Sequence, residues 1–206
     1  MVNVLYRMFR GLSALLFRVI FRTRIAGRER VPATGGLLLV SNHISFVDPP
    51  LLAAVLPRPI HFLTMVEIFR HPVLAKLARG IGCIPVDRAK VDHSAAREAI
   101  RRLRAGHCIG IFPEGGIRLT NESVLGGRPI LRTGLETIAV LGQAVVLPVI
   151  VRDTRKPYRW QNWFCRPTMS VTFGQPFCLW RPAHQRDDAA LHAVVRDELL
   201  KTVALD

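Results

Sequence analysis

The hydrophobic positions after Gly27 fall into short continuous runs that alternate with segments of helical spacing. A continuous apolar run is typical of a strand buried on both faces of a sheet. Such runs predict strands at residues 36–40, 60–65, 83–86, 108–112, 144–151 and 170–173. The segments between them predict helices at residues 49–55, 72–79, 94–104, 133–141 and 188–203. Strands that alternate with helices predict an α/β fold, with a mostly parallel sheet flanked by helices.

The first part of the chain follows a different pattern. On a helix with about 100° per residue, the large apolar side chains of residues 5–22 mostly cover one side. Four arginines share an arc on the opposite side: Arg7, Arg10, Arg18 and Arg22. This basic amphipathic pattern is typical of a helix lying in a bilayer interface, and it also fits a surface helix docked on a core.

No apolar run reaches the roughly 20 residues that cross a bilayer, and the recurring arginines do not fit a secretory signal. We therefore predict an amphipathic membrane-interface segment at residues 1–26 and a globular domain at residues 27–206. Basic and aromatic residues also interleave over residues 152–166. That run suits a membrane interface, a stacking surface for nucleic acid, or a polar loop with packed aromatics.

The charge balance limits the partners. Lys and Arg together number 29 and Asp and Glu 15, which gives a net charge of +14 on 206 residues. This excess predicts an anionic partner, either nucleic acid or an anionic membrane surface. Half of the residues are hydrophobic, so intrinsic disorder is excluded. The four cysteines form no CxxC pair, and no clustered ligands predict a metal site.

A histidine and an aspartate follow the strand predicted at residues 36–40. His43 lies just past its end, and Asp48 precedes the next predicted helix. A turn between them would bring the Asp48 carboxylate to one imidazole nitrogen and leave the other as a base for a hydroxyl. A loop histidine followed by an N-capping aspartate has the same spacing. Ser45 is a weaker candidate nucleophile, because it lacks the glycine-flanked elbow of the hydrolases.

A second polar block, Phe112-Pro113-Glu114-Gly115-Gly116, ends the strand predicted at residues 108–112. Its glycines allow a tight turn with exposed backbone amides, and Arg118 and Arg128 follow in the same loop. Amides and guanidinium groups together predict a site for a phosphate or carboxylate. The alternative is an ordinary turn in which the glutamate caps the loop.

These blocks resemble those of the glycerolipid acyltransferases, and most closely the 1-acylglycerol-3-phosphate (lysophosphatidate) acyltransferases. The matching pair is Asn42-His43-x4-Asp48 and Phe112-Pro113-Glu114-Gly115. Two further blocks agree in order, at residues 82–88 and 145–149, and Arg132-x-Gly134 also fits. The resemblance covers about residues 27–176.

The resemblance implies that His43 is the general base on the free hydroxyl of a lyso-glycerolipid and that Asp48 orients it. The alkoxide would attack the thioester of acyl-CoA or acyl-carrier protein, with no metal, no cofactor and no acyl-enzyme. An apolar groove would take the acyl chain. The residues implied to bind substrate are Asn42, Arg88, Glu114, Gly115 and Arg118. The expected protein is a monotopic enzyme of phospholipid biosynthesis on the cytoplasmic face of the inner or plasma membrane, with no nucleic-acid partner.

Two departures from the family pattern affect the acceptor site. The family's usual Phe-Pro-Glu-Gly-Thr-Arg-Ser is replaced here by a run with Gly116, Ile117 and Arg118, so the arginine comes one place late. A lysine common in the family near Met65 is missing. The acceptor could thus be a different lyso-lipid, such as a lyso-aminolipid or a lysophospholipid. A thioesterase and a basic lipid- or nucleic-acid-binding module are the remaining alternatives.

Overall fold

The computed structural model describes residues 4–179 and 188–205. Within these residues the chain forms a sheet with helices on both faces. The strands are β1 (Arg22–Ala26), β2 (Leu37–Ser41), β3 (Ile60–Met65), β4 (Ile84–Val86), β5 (Cys108–Ile111), β6 (Val145–Arg152), β7 (Thr168–Phe173) and β8 (Phe177–Cys178). The helices are α1 (Val4–Ile20), α2 (Asp48–Val55), α3 (Pro72–Gly80), α4 (His93–Arg104), α5 (Leu135–Gly142) and α6 (Asp188–Val203).

The strand order is β1-β7-β6-β2-β5-β3-β4, and β8 also pairs with β6. β2 runs parallel to both of its neighbours, β5 and β6. The pairs β3–β5, β3–β4 and β1–β7 are parallel as well, whereas β7 and β8 run antiparallel to β6. The predicted α/β fold with a mostly parallel sheet is confirmed.

The core lies on both faces of this sheet. Leu37 and Leu39 of β2 pack on the side of α1 and α2, and Leu38 and Val40 pack on the side of α4, α5 and α6. All four leucine and valine side chains are fully buried. A central strand covered on both faces explains the continuous apolar run in the sequence, because neither set of alternating side chains meets water.

The N-terminal segment differs from its prediction at one end. Residues 22–26, expected to belong to the interface segment, form β1 and pair in parallel with β7. Phe21 explains the change, because it is buried against Phe17 with ring centroids 6.0 Å apart and ends the helical part of the pattern. Within the described part of this segment, β1 therefore belongs to the sheet as an edge strand and α1 lies outside it.

Helix α1 has a docked face and an exposed apolar face. Tyr6 and Phe17 are buried, and the Tyr6 hydroxyl accepts the backbone N–H of Ile60 at 2.8 Å. Arg10 donates to the carbonyl of Leu56 at 2.9 Å. The other side exposes a set of large apolar side chains: Met8, Leu12, Leu15, Leu16 and Val19. Among the described residues no helix is both long enough and apolar enough to cross a membrane.

Candidate active site

Three neighbouring strands end at the same edge of the sheet. Because β5, β2 and β6 are adjacent and parallel, the residues that follow them converge there. His43 follows β2, Glu114 follows β5 and Thr154 follows β6. The topology thus brings together side chains that are far apart in the sequence.

Asp48 is fully buried at the start of α2 and accepts hydrogen bonds on both oxygens. Its Oδ2 lies 2.8 Å from His43 Nδ1 and accepts the backbone N–H groups of Ile44 and Ser45, each at 2.8 Å. Its Oδ1 accepts the Thr154 hydroxyl at 2.5 Å. An ionised carboxylate only accepts, so this contact requires a proton on Nδ1 and leaves Nε2 as the basic nitrogen of neutral His43.

The His43 ring is held from several sides. It is 7% exposed and stacks on Phe112, with ring centroids 4.1 Å apart and an interplanar angle of 20°. Phe112 stacks in turn on Phe62 at 5.6 Å. The backbone N–H of His43 donates to Glu114 Oε2 at 2.7 Å. Ring and backbone are therefore both fixed, which favours a single orientation of the imidazole.

Glu114 connects two loops. While Oε2 accepts from His43, Oε1 accepts the backbone N–H of Val124 at 2.8 Å, and the residue is 1% exposed. Burial raises the pKa of the Glu114 carboxyl, and the hydrogen bonds from Val124 and His43 partly oppose that shift. The sequence predicts substrate contact here, but both oxygens are engaged by backbone groups, so the geometry gives Glu114 a positioning role.

Asn42 also differs from its predicted role. It is fully buried, and its side-chain amide donates to the carbonyl of Val151 at 2.9 Å and accepts the N–H of Val151 at 2.8 Å. This pair extends the contact between β2 and β6 beyond the last strand residue, Ser41. With both polar atoms engaged, Asn42 anchors residues 42–47, which we call the histidine loop, to the sheet instead of facing a substrate.

The larger cleft near the site has a volume of about 630 Å³ and lies beside α4 and α5. Arg88, Arg132, Phe112 and Gly115 line it together with many aliphatic side chains. Arg132 donates to the carbonyl of Arg88 at 2.8 Å. Burial lowers the pKa of the half-buried Arg88, as does the positive charge of Arg132. Within the described chain neither arginine forms an ion pair with a carboxylate, although Asp87 and Asp92 also line this mainly apolar cleft.

Position 115 requires a glycine for two reasons. Its φ is 71°, in the left-handed region, and a Cβ there would collide with Arg132 Nε. The turn thus lets the Arg132 side chain cross directly over the backbone of the loop. Of the residues predicted to bind substrate, Gly115 and Arg88 share this cleft.

A second cleft, about 540 Å³ in volume, lies on the other side of the histidine loop. Three arginines line it: Arg118, Arg152 and Arg155. Ile44 lines it as well, and the backbone N–H of Arg118 donates to the carbonyl of His43 at 2.9 Å. We call this space the arginine cleft.

The structure therefore separates two arginines that the sequence predicts at one acceptor site. Arg88 follows β4, at the far side of β3 from β5, and lines the larger cleft. Arg118 lies in a loop that turns back over β2, and it lines the arginine cleft. His43 lies between them, because Phe112 under its ring belongs to the larger cleft and Ile44 after it belongs to the arginine cleft.

The family of the chain follows from a comparison with models of known protein families. The model described as "Acyltransferase" matches residues 22–152. The chain belongs to the acyltransferase family. This match begins at β1 and includes both polar blocks. Family membership excludes the alternative of a binding module without activity.

Several known proteins are similar to this acyltransferase. A 1-acyl-sn-glycerol-3-phosphate acyltransferase of Bacillus subtilis is 29% identical over 82% of this chain and 77% of its own length. A lyso-ornithine lipid O-acyltransferase of Pseudomonas aeruginosa is 32% identical over 50% of this chain and 39% of its own length. The crystal structure of the 1-acyl-sn-glycerophosphate (LPA) acyltransferase PlsC from Thermotoga maritima superposes with a TM-score of 0.71 at 20% identity. That match covers 95% of this chain and 78% of the other. It supports the fold.

Two polar residues of this acyltransferase, Thr154 and Tyr158, hold the site but are not predicted from the sequence. Besides the hydrogen bond from Thr154 to Asp48, the Tyr158 hydroxyl accepts the backbone N–H of Phe46 at 2.8 Å and the Ser45 hydroxyl at 3.1 Å. Both residues come from the run at 152–166 that the sequence presented as a basic aromatic patch. One signal was available, because Thr154 directly follows a strand that ends at the same edge as β2.

No metal ligands come together at this edge. Across residues 4–179 and 188–205, no group of three or more His, Cys, Asp or Glu side chains could hold a metal ion. The cysteines in this part of the chain are free, and burial raises the pKa of the Cys108 thiol to about 12.

Proposed function

We propose that this acyltransferase transfers a fatty acyl group from a thioester donor to the free hydroxyl of 1-acylglycerol-3-phosphate, giving phosphatidate for phospholipid synthesis. The observation that carries the proposal is the buried His43–Asp48 pair, which leaves Nε2 as a base between two positively charged clefts. The similarity to the Bacillus subtilis enzyme over most of both chains supports the choice of acceptor.

The transfer needs one base and no covalent enzyme intermediate. The acceptor hydroxyl gives its proton to His43 Nε2 as its oxygen attacks the thioester carbon. The carbon–sulfur bond then breaks, and the imidazolium returns the proton to the leaving thiolate, so that an ester and a free thiol are formed. Asp48 stabilises the positive imidazolium and keeps Nδ1 protonated throughout.

The larger cleft fits the acceptor. Lysophosphatidate joins an acyl chain to a phosphate, and this cleft joins aliphatic walls to Arg88 and Arg132. Two neighbouring guanidinium groups without a carboxylate partner suit a dianionic headgroup.

A second acceptor class is favoured by one specific observation. Arg118, the loop arginine that the resemblance assigns to the acceptor phosphate, lies outside the larger cleft. The similarity to a lyso-ornithine lipid O-acyltransferase, at 32% identity over half of this chain, points in the same direction. A lyso-aminolipid is therefore the second candidate acceptor.

The test is a thiol-release assay on the purified protein in detergent. Palmitoyl-CoA is supplied with lysophosphatidate, a lyso-ornithine lipid, a lysophospholipid or no acceptor, and the lipid product is identified by mass spectrometry. We expect thiol release only with lysophosphatidate. His43→Ala should reduce the rate by about 10²- to 10⁴-fold while the protein stays folded. Release without any acceptor would indicate a thioesterase, and full activity of His43→Ala would remove His43 as the base.

We also infer that α1 forms a membrane-interface segment and that the remaining chain is the acyltransferase domain, a monotopic protein on the cytoplasmic face of an anionic membrane. The exposed apolar face of α1 supports this, because a stripe of large apolar side chains beside the exposed Arg7 and Arg18 suits the boundary between headgroups and acyl chains. Arg166 donates to the carbonyl of Arg18 at 2.8 Å. The segment that ends at this contact carries the exposed aromatic residues Trp160 and Phe164. The net charge of +14 favours anionic lipid.

A further inference from the structure

The arginine cleft has no assigned role in the acceptor site described above. Its polar lining includes Thr120, Asn121 and Ser123, and its aliphatic contribution is small compared with that of the larger cleft. Arg118 lies in the loop after β5, Arg152 is the last residue of β6, and Arg155 lies in the loop that follows it. A polar, positively charged cleft of this kind suits a hydrophilic anion, not an acyl chain.

The positive charge in this cleft is poorly neutralised. Arg155 is exposed and makes no side-chain hydrogen bond or ion pair within the described chain. The carboxylate nearest to Arg118 is that of the exposed Glu122, at 3.9 Å. Asp153 is paired with Lys156 at 2.9 Å. The guanidinium of Arg155 on one wall, and that of Arg118 with only a 3.9 Å contact to Glu122 on the other, can form charge-assisted hydrogen bonds to phosphate oxygens.

Both walls of the cleft are tied to the catalytic pair. The backbone N–H of Arg118 donates to the carbonyl of His43, and the hydroxyl of Thr154, next to Arg155, donates to Asp48. A ligand bound between Arg118 and Arg155 would therefore contact one residue that is hydrogen-bonded to His43 and another that follows Thr154, the partner of Asp48.

The reaction brings two different anions to one histidine. The acceptor is an amphiphile with a small head, which suits the apolar cleft that Arg88 and Arg132 flank. The donor carries its thioester on a phosphopantetheine arm, whose phosphate continues either into the diphosphate and 3′-phosphate of CoA or into an acidic carrier protein. This part is hydrophilic and polyanionic and needs cations without an apolar trough.

We propose that the arginine cleft binds the phosphate groups of the phosphopantetheine-bearing acyl donor, so that donor and acceptor approach His43 from opposite sides of the histidine loop. This inference rests on the proposed acyl transfer and assigns Arg118 and Arg155 to the donor. It changes the role of Arg118 from the acceptor contact implied by the sequence.

Charge reversal at Arg155 tests the proposal with little risk to folding, because its side chain is exposed. Rates are measured for Arg155→Glu while palmitoyl-CoA and lysophosphatidate are varied in turn. We expect the KM for palmitoyl-CoA to rise about five- to tenfold and the KM for lysophosphatidate to change less than about twofold. Arg97→Glu makes the same charge change at an exposed position of α4 outside both clefts and should leave both KM values unchanged. A rise in the KM for lysophosphatidate alone, or no change in either, would overturn the proposal.

Donors of different length identify the phosphate that is bound. If the cleft meets the 3′-phosphate, the defect of Arg155→Glu disappears with palmitoyl-dephospho-CoA. If it meets the phosphate of the pantetheine arm, the defect persists with that donor and with palmitoyl-carrier protein. Both results support the cleft as the donor site, and they identify which phosphate of the donor it contacts.

A binding measurement separates this inference from the proposed function. The dissociation constant of CoA alone is determined by titration calorimetry for the wild-type protein and for Arg155→Glu, and it should rise about five- to tenfold in the variant. This result would stand even if lysophosphatidate proved not to be the acceptor. Equal CoA binding by the two proteins would reject the donor site, whatever the acceptor assay shows.

Discussion

At the scale of single residues, Asp48 determines how the site works. Its carboxylate is fully buried but accepts from two backbone N–H groups, one hydroxyl and one imidazole. These donors compensate the loss of hydration that a buried carboxylate would otherwise suffer. The same contacts aim Oδ2 at His43 Nδ1, so the conditions for burying the charge also orient the base.

The hydroxyl of Thr154 can be removed by substitution with little change in the shape of the side chain. Thr154→Val keeps the shape of the side chain but leaves Asp48 Oδ1 without its hydroxyl donor, at a cost of about 1–3 kcal/mol for a buried group. We expect kcat to fall about tenfold with little change in either KM, because Thr154 acts through Asp48 and does not touch a substrate. Steady-state kinetics with both substrates measure this.

The matched variant is Thr154→Ser, which retains the hydroxyl and should restore most of kcat. A purely structural role would lower the stability of Thr154→Val and leave the kcat of the folded fraction unchanged. That result would contradict the positioning role.

His43 and Asp48 could be predicted because their spacing lies within one loop, where a single turn brings them together. Thr154 could not, because its partner is 106 positions away and only the neighbouring strands β2 and β6 join them. Asn42 and Glu114 were recognised as site residues, but their engagement by backbone groups was not visible in the pattern.

At the scale of elements, α1 shows how one helical pattern can serve two faces. The sequence left two interpretations open, a helix lying on a membrane and a helix docked on the core. The structure docks one face through Tyr6 and Phe17 and exposes a separate apolar face that includes Leu12 and Leu15. The two interpretations describe different sides of the same helix.

Substitutions on the two faces should have different effects. Leu15→Glu places a charge on the exposed apolar face, and we expect its affinity for phosphatidylglycerol vesicles to fall about tenfold without a change in melting temperature. Vesicle sedimentation and thermal unfolding measure these effects. Phe17→Ala, on the docked face, should instead lower the free energy of unfolding by about 3–5 kcal/mol.

Ala14→Glu is the matched control, since it adds the same charge on the arginine side of α1 at an exposed position. It should bind vesicles better than Leu15→Glu. Equal binding by the two variants, or wild-type binding by Leu15→Glu, would contradict a membrane contact through the exposed apolar face.

At the scale of the whole molecule, three elements meet around His61 of β3. Tyr6 of α1 lies beside its ring, Arg102 of α4 lies nearby, and the ring of His107 contacts it edge-on at 5.5 Å. Burial lowers the pKa of His61 to about 4, and the charge of Arg102 adds to the shift. The folded protein therefore keeps this histidine neutral at pH values where the unfolded chain protonates it.

This difference predicts the direction of acid destabilisation. In the unfolded chain His61 titrates near its ordinary pKa of 6.5, so the unfolded state binds more protons than the folded state between pH 6.5 and about 4. The free energy of unfolding should fall as the pH decreases through this window.

Urea unfolding at several pH values should show a smaller slope of the free energy of unfolding against pH for His61→Gln than for the wild-type protein. His93→Gln, at an exposed position of α4, should keep the wild-type slope, and an unchanged slope for His61→Gln would contradict the prediction.

The sequence by itself determined the class of fold, the position of its main strands and helices, and the His43–Asp48 pair. These depend on local periodicity and on contacts within one loop, which the order of residues records directly. The order of the strands depends on which apolar runs pack side by side, and the pattern along one chain does not contain it. Only the tertiary structure therefore decided that β2 lies between β5 and β6, that Thr154 reaches Asp48, and that Arg88 and Arg118 face different clefts.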